Sequence, residues 1–239
     1  MLAGSFQMSS GEPGVPSGLR IEQTEADIIS GTPFLCRMNI DLRKWLKKFQ
    51  MKWEDKPIEY LDESGNWQED SDPLFGSISD TIQSRDCELS VAELQRISQW
   101  KLQSSRNDSN IKKNSNETVT QQFQSAITAS TDREAVDVLT ELSGIGVPMA
   151  STMLTVAKPS HYAIIDYRAF RALAGAKPEM AGPRQYGDYA EFLEHFRTYL
   201  KNPEAYEFYM NHVRRIADAE GLSARQVDMA LWAFDKEMV

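Results

Sequence analysis

The chain has 239 residues, 41% hydrophobic and 26% charged, a globular composition long enough for one large or two small domains. Cys36 and Cys87 are too few for a disulfide framework, a four-thiolate iron–sulfur cluster or a Cys-rich zinc site, although they suffice for a single bridge. A net charge of −9 argues against a polyanionic partner only until its distribution is read: Glu59–Glu93 holds ten acids against Arg85, whereas Arg37–Lys56 and Arg96–Lys113 each carry +4 and can meet phosphates.

No apolar run approaches the roughly 18 residues of a membrane span, and the first residues lack a basic start followed by an apolar stretch. These features predict a soluble, cytoplasmic protein with no membrane partner. Residues 1–20, rich in Gly, Ser and Pro, are expected to form a flexible tail. Residues 21–115 read as an N-terminal lobe that contains the acidic segment. A helix is predicted near Asp41–Trp53, with Leu42, Trp45, Leu46 and Phe49 at helical spacing, and short strands can flank the turn at Ser64-Gly65-Asn66. Ser90 and Glu93 form a capping-box pattern opening a helix through Leu94, Ile97 and Trp100, followed by a polar loop rich in Asn and Ser.

Residues 116–239 read as a helical domain. Helices are expected over Glu117–Ala129 and, opened by a second capping-box pattern at Thr131 and Glu134, through Ala135, Val138, Leu139 and Leu142 on one face. Pro148 sits where a first helical residue would, and Ala150, Met153, Leu154 and Ala157 repeat the spacing. Three more helices are predicted: Asp188–Leu200, one opened by Asn202-Pro203, and one from Ser223, with Gly221 between the last two. The fold class is mostly α. Trp45, Trp53, Trp67 and Trp232 read as packing residues, and the three histidines show no metal-ligand spacing.

The connection Ser143-Gly144-Ile145-Gly146-Val147 places two glycines one residue apart between helices. Glycine permits positive φ and close backbone approach, and amides at the start of the second helix can face a phosphate. Downstream, Lys158-Pro-Ser-His-Tyr-Ala-Ile-Ile-Asp166 sets an acid immediately before another helical pattern. From Leu139 to Leu173 the chain resembles the helix-hairpin-helix DNA glycosylase superfamily, with its 8-oxoguanine-glycosylase-like, two-lobed helical fold. That resemblance implies double-stranded DNA as partner, Asp166 as the catalytic carboxylate, and a backbone grip by Ser143, Gly144, Ile145, Gly146 and Val147 with Arg168 and Arg171 nearby. It also implies a monovalent cation, Na+ or K+, on the carbonyls of Thr140, Leu142 and Ile145, and no other cofactor.

Two departures from the family pattern narrow the expectation. Pro148 stands where other members carry a nucleophilic lysine, which implies a monofunctional glycosylase that leaves an abasic site. No cysteine follows Cys87, so the iron–sulfur cluster of other members has no ligands. A flipped base needs a pocket from the N-terminal lobe, for which Trp100, Lys101 and Arg106, with Tyr162, are the candidates. The target base is not readable; a divergent lobe can admit a bulky base, and hypermodified phage cytosine, such as a glucosylated hydroxymethyl form, would fit an antiviral role. Two alternatives stay open: a non-catalytic helix-hairpin-helix module that binds DNA backbone, and a helical scaffold whose hairpin is only a turn.

Overall fold

A computed structural model describes residues 40–54, 56–70, 72–175 and 186–238. The expected tail at residues 1–20 and Cys36 lie outside the described residues. The first element is α1 (Leu42–Trp53), which Asp41 caps by accepting from the Lys44 amide at 3.0 Å. Its apolar face, Leu42, Trp45, Leu46 and Phe49, is buried as the spacing predicts. Strands β1 (Ile58–Leu61) and β2 (Trp67–Asp70) form an antiparallel hairpin in which Leu61 pairs with Trp67. Asp62 shapes its turn by accepting from the Ser64 and Asn66 amides, and Gly65 takes φ 79°. Trp67, expected to pack, is instead 64% exposed, because its strand has only β1 for a neighbour.

The wide turn Leu74–Ile78 leads into α2 (Ser79–Ser84). Helix α3 (Val91–Leu102) begins with the reciprocal box read from the sequence: Glu93 N donates to Ser90 Oγ, and Ser90 N donates to Glu93 Oε2. The Asn- and Ser-rich stretch after it is not a plain loop. It contains α4 (Asp108–Ile111), bracketed by Asn107 and Asn114.

Helix α5 (Asn116–Ile127) leads to α6 (Asp132–Thr140), where the second capping box forms only by half. Thr131 Oγ1 accepts from Glu134 N, but Glu134 Oε2 accepts from Ser130 N, one residue earlier than the reciprocal pattern requires. Helix α7 (Val147–Ala157) differs most from expectation: instead of one apolar face, every residue from Met149 to Ala157 is buried. Its polar side chains disappear into the helix itself. Ser151 and Thr152 donate to Pro148 O, and Thr155 donates to Ser151 O, so no hydroxyl demands water.

Helices α8 (Tyr167–Gly175), α9 (Tyr186–Thr198), α10 (Pro203–Glu220) and α11 (Ala224–Met238) complete the described chain. Asn202 caps α10 ahead of Pro203, and Gly221 ends it at φ 62°, as the sequence predicts. Helix α11 packs on α1 and α8, which brings the last described helix against the first described one. Phe170 on α8 has five rings within 6.4 Å, from Phe192, Phe196, Tyr199, Phe208 and Tyr209. Truncating such a buried ring typically costs about 3–5 kcal/mol, so packing fixes where α8 begins. The described residues are mostly helical, share one hydrophobic core and contain no helix long and apolar enough to cross a membrane.

Candidate active site

The glycine hairpin is built by residues on both sides of it. Gly144 takes φ 85°, where L side chains are strained, and an added Cβ would lie 2.8 Å from Asn107 Oδ1. Asn107 Nδ2 donates to Gly144 O at 2.8 Å, while Asn114 accepts from Ser143 N and donates to Ser143 O. These two asparagines fasten the turn to the segment around α4. Gly144 and Gly146 are exposed, and their amides meet no acceptor among the described residues. Val147 is fully buried and offers its side chain to the core. Ile145 N turns inward to Leu142 O at 3.1 Å, whereas the carbonyls of Thr140 and Ile145 receive no donor among the described residues. Leu142 O, the third carbonyl expected to hold a monovalent cation, accepts from Ile145 N.

Tyr162–Ile165 is an irregular segment buried along its length, so its backbone polar groups need partners. Four side chains supply them. Ile164 N donates to Asp228 Oδ2 at 2.6 Å, Ile165 N to Ser151 Oγ at 3.1 Å, and the hydroxyls of Tyr206 and Tyr209 donate to the carbonyls of Ala163 and Ile164. Ser151 is the fifth residue of α7, so its bond from Ile165 N ties the residue before Asp166 to that helix. Asp166 Oδ1 accepts from Ala169 N at 2.8 Å, the helix-cap role expected of an acid at this position. Its other oxygen, Oδ2, lies 3.7 Å from Lys101 Nζ. The two side chains are 25% and 13% exposed, an acid open to solvent beside a largely enclosed amine.

Lys101 also lines a cavity of about 390 Å³, within the range of small-molecule sites. Its walls are aromatic: Phe49, Trp53, Trp100 and Trp232. Trp53 and Trp232 meet edge to face at 5.1 Å and pack against the core, as expected, while also lining this cavity. Five cations, Lys56, Lys101, Arg168, Arg225 and Lys236, face Glu59 and Asp228. The positive field is dense enough to be felt within it: burial holds the Lys236 ammonium below the usual lysine range, and Arg168 and Lys56 depress it further. A second cavity of about 430 Å³ shares Phe49, Trp53, Lys56, Trp100 and Arg225 with the first and extends to Phe75. Arg225 stacks over Phe75 at 4.5 Å, so a guanidinium divides the two spaces.

Of the residues expected to form a base pocket, Trp100 and Lys101 line the cavity. Arg106 does not: it is exposed in the turn after α3, its amide on Ser104 Oγ. Tyr162 is buried with its ring on the edge of His161, near the Arg214–Asp132 pair. Arg171, expected to meet phosphate, instead grips buried Asp235 through Nε and Nη2 at 2.6 and 2.8 Å and stacks on Tyr167. Arg168 reaches Asp235 at 3.3 Å while lining the cavity.

Sequence reasoning missed Arg225, Asp228, Trp232 and Lys236. Their spacing of i, i+3, i+7 and i+11 runs along one face of α11 and was the available signal. Burial pushes the Asp228 carboxyl up to about 7, against the opposing pulls of Arg225, the Ile164 amide and Lys101, while Asp166 raises it further. Between the ordinary aspartate value and about 7 the folded state therefore holds the extra proton, and stability falls as pH rises. Asp228→Asn removes this titration. The stability of wild type relative to the variant should be highest below about pH 4 and decline by up to about 1.4 kcal/mol per unit until about pH 7. Urea midpoints across pH measure it, and a difference that does not change with pH contradicts the assignment.

Comparison with protein-family models, with curated proteins and with solved structures finds no match for this chain.

Proposed function

We propose that the protein is a DNA glycosylase that takes a modified base out of the duplex and cleaves its N-glycosidic bond with the help of Asp166. The observation that supports this most is the neighbourhood of one carboxylate oxygen. It takes no backbone amide and lies 3.7 Å from Lys101 Nζ, an amine that lines an aromatic, cation-rich cavity. Breaking an N-glycosidic bond builds positive charge on the deoxyribose, which a fixed anion stabilises without reorganisation. Asp166 is that anion, or it orients the attacking water.

The other parts have matching tasks. The exposed amides of Gly144 and Gly146 take a backbone phosphate, and a cation on the carbonyls of Thr140, Leu142 and Ile145 would stiffen the turn that presents them. Trp53, Trp100 and Trp232 offer faces and edges to an unstacked base. Two adjoining cavities suit a base with a bulky substituent, and hypermodified phage cytosine in an antiviral role is the substrate class we put forward.

The test is incubation of the protein with duplex DNA from several sources, including modified phage genomes, with abasic sites counted for wild type and Asp166→Asn. Abasic sites made by the wild type alone support the reading. Salt-dependent binding with no abasic sites on any substrate supports a backbone-binding module instead, and absence of both leaves a scaffold.

A further inference from the structure

We propose that the cavity among α1, α3 and α11 binds a free nucleoside monophosphate, with its planar base against the indole wall and its terminal phosphate on Lys56, Arg168 and Lys236. Such binding does not depend on base excision, since it concerns a soluble ligand and no bond is made or broken.

Among the described residues the wall holds five cations and two acids, a surplus of three positive charges. One of the acids, Asp228, is committed to Arg225 and to Ile164 N. The excess gathers around Lys236, whose neighbours in sequence are carboxylates already shared between other cations. Asp235 lies between Arg168 and Arg171 at 3.3 and 2.6 Å, and Glu237 lies between Lys48 and Lys52 at 2.9 and 2.6 Å. Lys236 is left over two indole rings, 4.5 Å from the centroid of Trp232 and 5.1 Å from that of Trp53. Burial, and then the nearness of Arg168 and Lys56, holds its ammonium below the usual range, so three like charges crowd one part of the wall. Self-repulsion of this kind is relieved when an anion arrives.

A phosphate monoester suits this charge better than a phosphodiester, because its second ionisation, near pH 6, gives it close to two negative charges at neutral pH. The rest of the wall fits a planar, apolar group. Phe49, Trp53, Trp100 and Trp232 supply aromatic surface, on which any base can stack. A volume of about 390 Å³ is within the range of sites for ligands of this size. Gln103 lines the same wall at φ 49°, a left-handed conformation for a residue with a Cβ, and backbone strain of that kind gathers at ligand sites. Its side-chain amide has both a donor and an acceptor for a base edge.

The test is equilibrium dialysis of the full-length protein, at one salt concentration, against cytidine and adenosine 5′-monophosphates, their nucleosides, and ribose 5-phosphate. At least one nucleotide should bind one to one, about tenfold or more tighter than its nucleoside or the sugar phosphate. Lys56→Gln and Lys236→Gln should each weaken the nucleotide about tenfold or more, as the loss of a charge-assisted hydrogen bond does, and leave the nucleoside unchanged. Lys47→Gln makes the same charge change at an exposed residue of α1 outside the wall and should have no effect. Lys56 is exposed, so its variant keeps the test open even where Lys236→Gln, which loses its contact with two indoles, disturbs the fold. No binding of either nucleotide at millimolar concentration, equal affinity for the nucleotide and one of its fragments, or equal weakening by Lys47→Gln overturns the proposal. So does an unmodified duplex with hydroxyl ends whose binding falls in the Lys56 and Lys236 variants while nucleotide binding does not, because the cations would then serve a DNA backbone. Nucleotide binding without abasic sites on any DNA refutes the glycosylase alone, and abasic sites without nucleotide binding refute this site alone.

Discussion

Asp166→Asn should lower base release by at least about 10³-fold while leaving the thermal midpoint nearly unchanged. Asparagine retains the oxygen that Ala169 N needs, and Asn caps a helix about as well as Asp, so α8 keeps its start. What is lost is the negative charge 3.7 Å from Lys101, and with it the partner of a developing sugar cation. Electrostatic groups preorganised for a transition state are commonly worth about 10²–10³-fold each, and a full charge facing a cation lies at or beyond the upper end. The measurement is released base against time under single-turnover conditions, with circular dichroism of both proteins. Equal rates would reduce Asp166 to a helix cap.

Gly144→Val should destabilise the protein by about 2–4 kcal/mol, far more than Gly146→Ala. At φ 85° a β-branched residue is strained, and its Cβ would lie 2.8 Å from Asn107 Oδ1 and 3.0 Å from Asn110 Cβ. Relief requires moving the asparagine that donates to Gly144 O, so the latch to the α4 segment fails as well. Gly146 lacks positive φ, and a Cβ there would meet Leu200 O at 3.4 Å and Pro148 Cδ at 4.0 Å, ordinary contacts. Gly146→Ala should therefore fold normally while weakening DNA binding. Chemical denaturation measures the first effect and binding at fixed salt the second. Similar stabilities for the two variants would contradict the latch.

The contrast between those glycines shows how far local pattern carries. Gly-x-Gly between two helical patterns identified a tight turn, but the reason only the first glycine is irreplaceable lies 37 residues away at Asn107, in a stretch that reads as loop. Helix ends were readable because caps act over three or four residues: Ser90 with Glu93, Asn202-Pro203, Gly221. Helix α7 was readable as a helix and not as a buried one, since Ser151, Thr152 and Thr155 hide their polarity by bonding backward within the helix. The place of Asp166 at a helix start was legible from the local pattern, and its bond from Ala169 N agrees. The cavity walls were not, because Trp53 and Trp232 converge from opposite ends of the described chain when α11 packs on α1. Asp228, too, looks like any acid on a helical surface until Ile164 N is found to need it.

In the proposed reaction the Asp166 carboxylate faces the place where a deoxyribose becomes positive. Two synthetic duplexes test it without knowledge of the target base: one with a cationic pyrrolidine in place of a nucleotide sugar, the other with a neutral tetrahydrofuran. Measured in competition at one salt concentration, wild type should bind the cationic duplex at least about tenfold more tightly, roughly 1.4 kcal/mol, and Asp166→Asn should erase the difference. Equal affinity of the wild-type protein for the two duplexes would contradict the account.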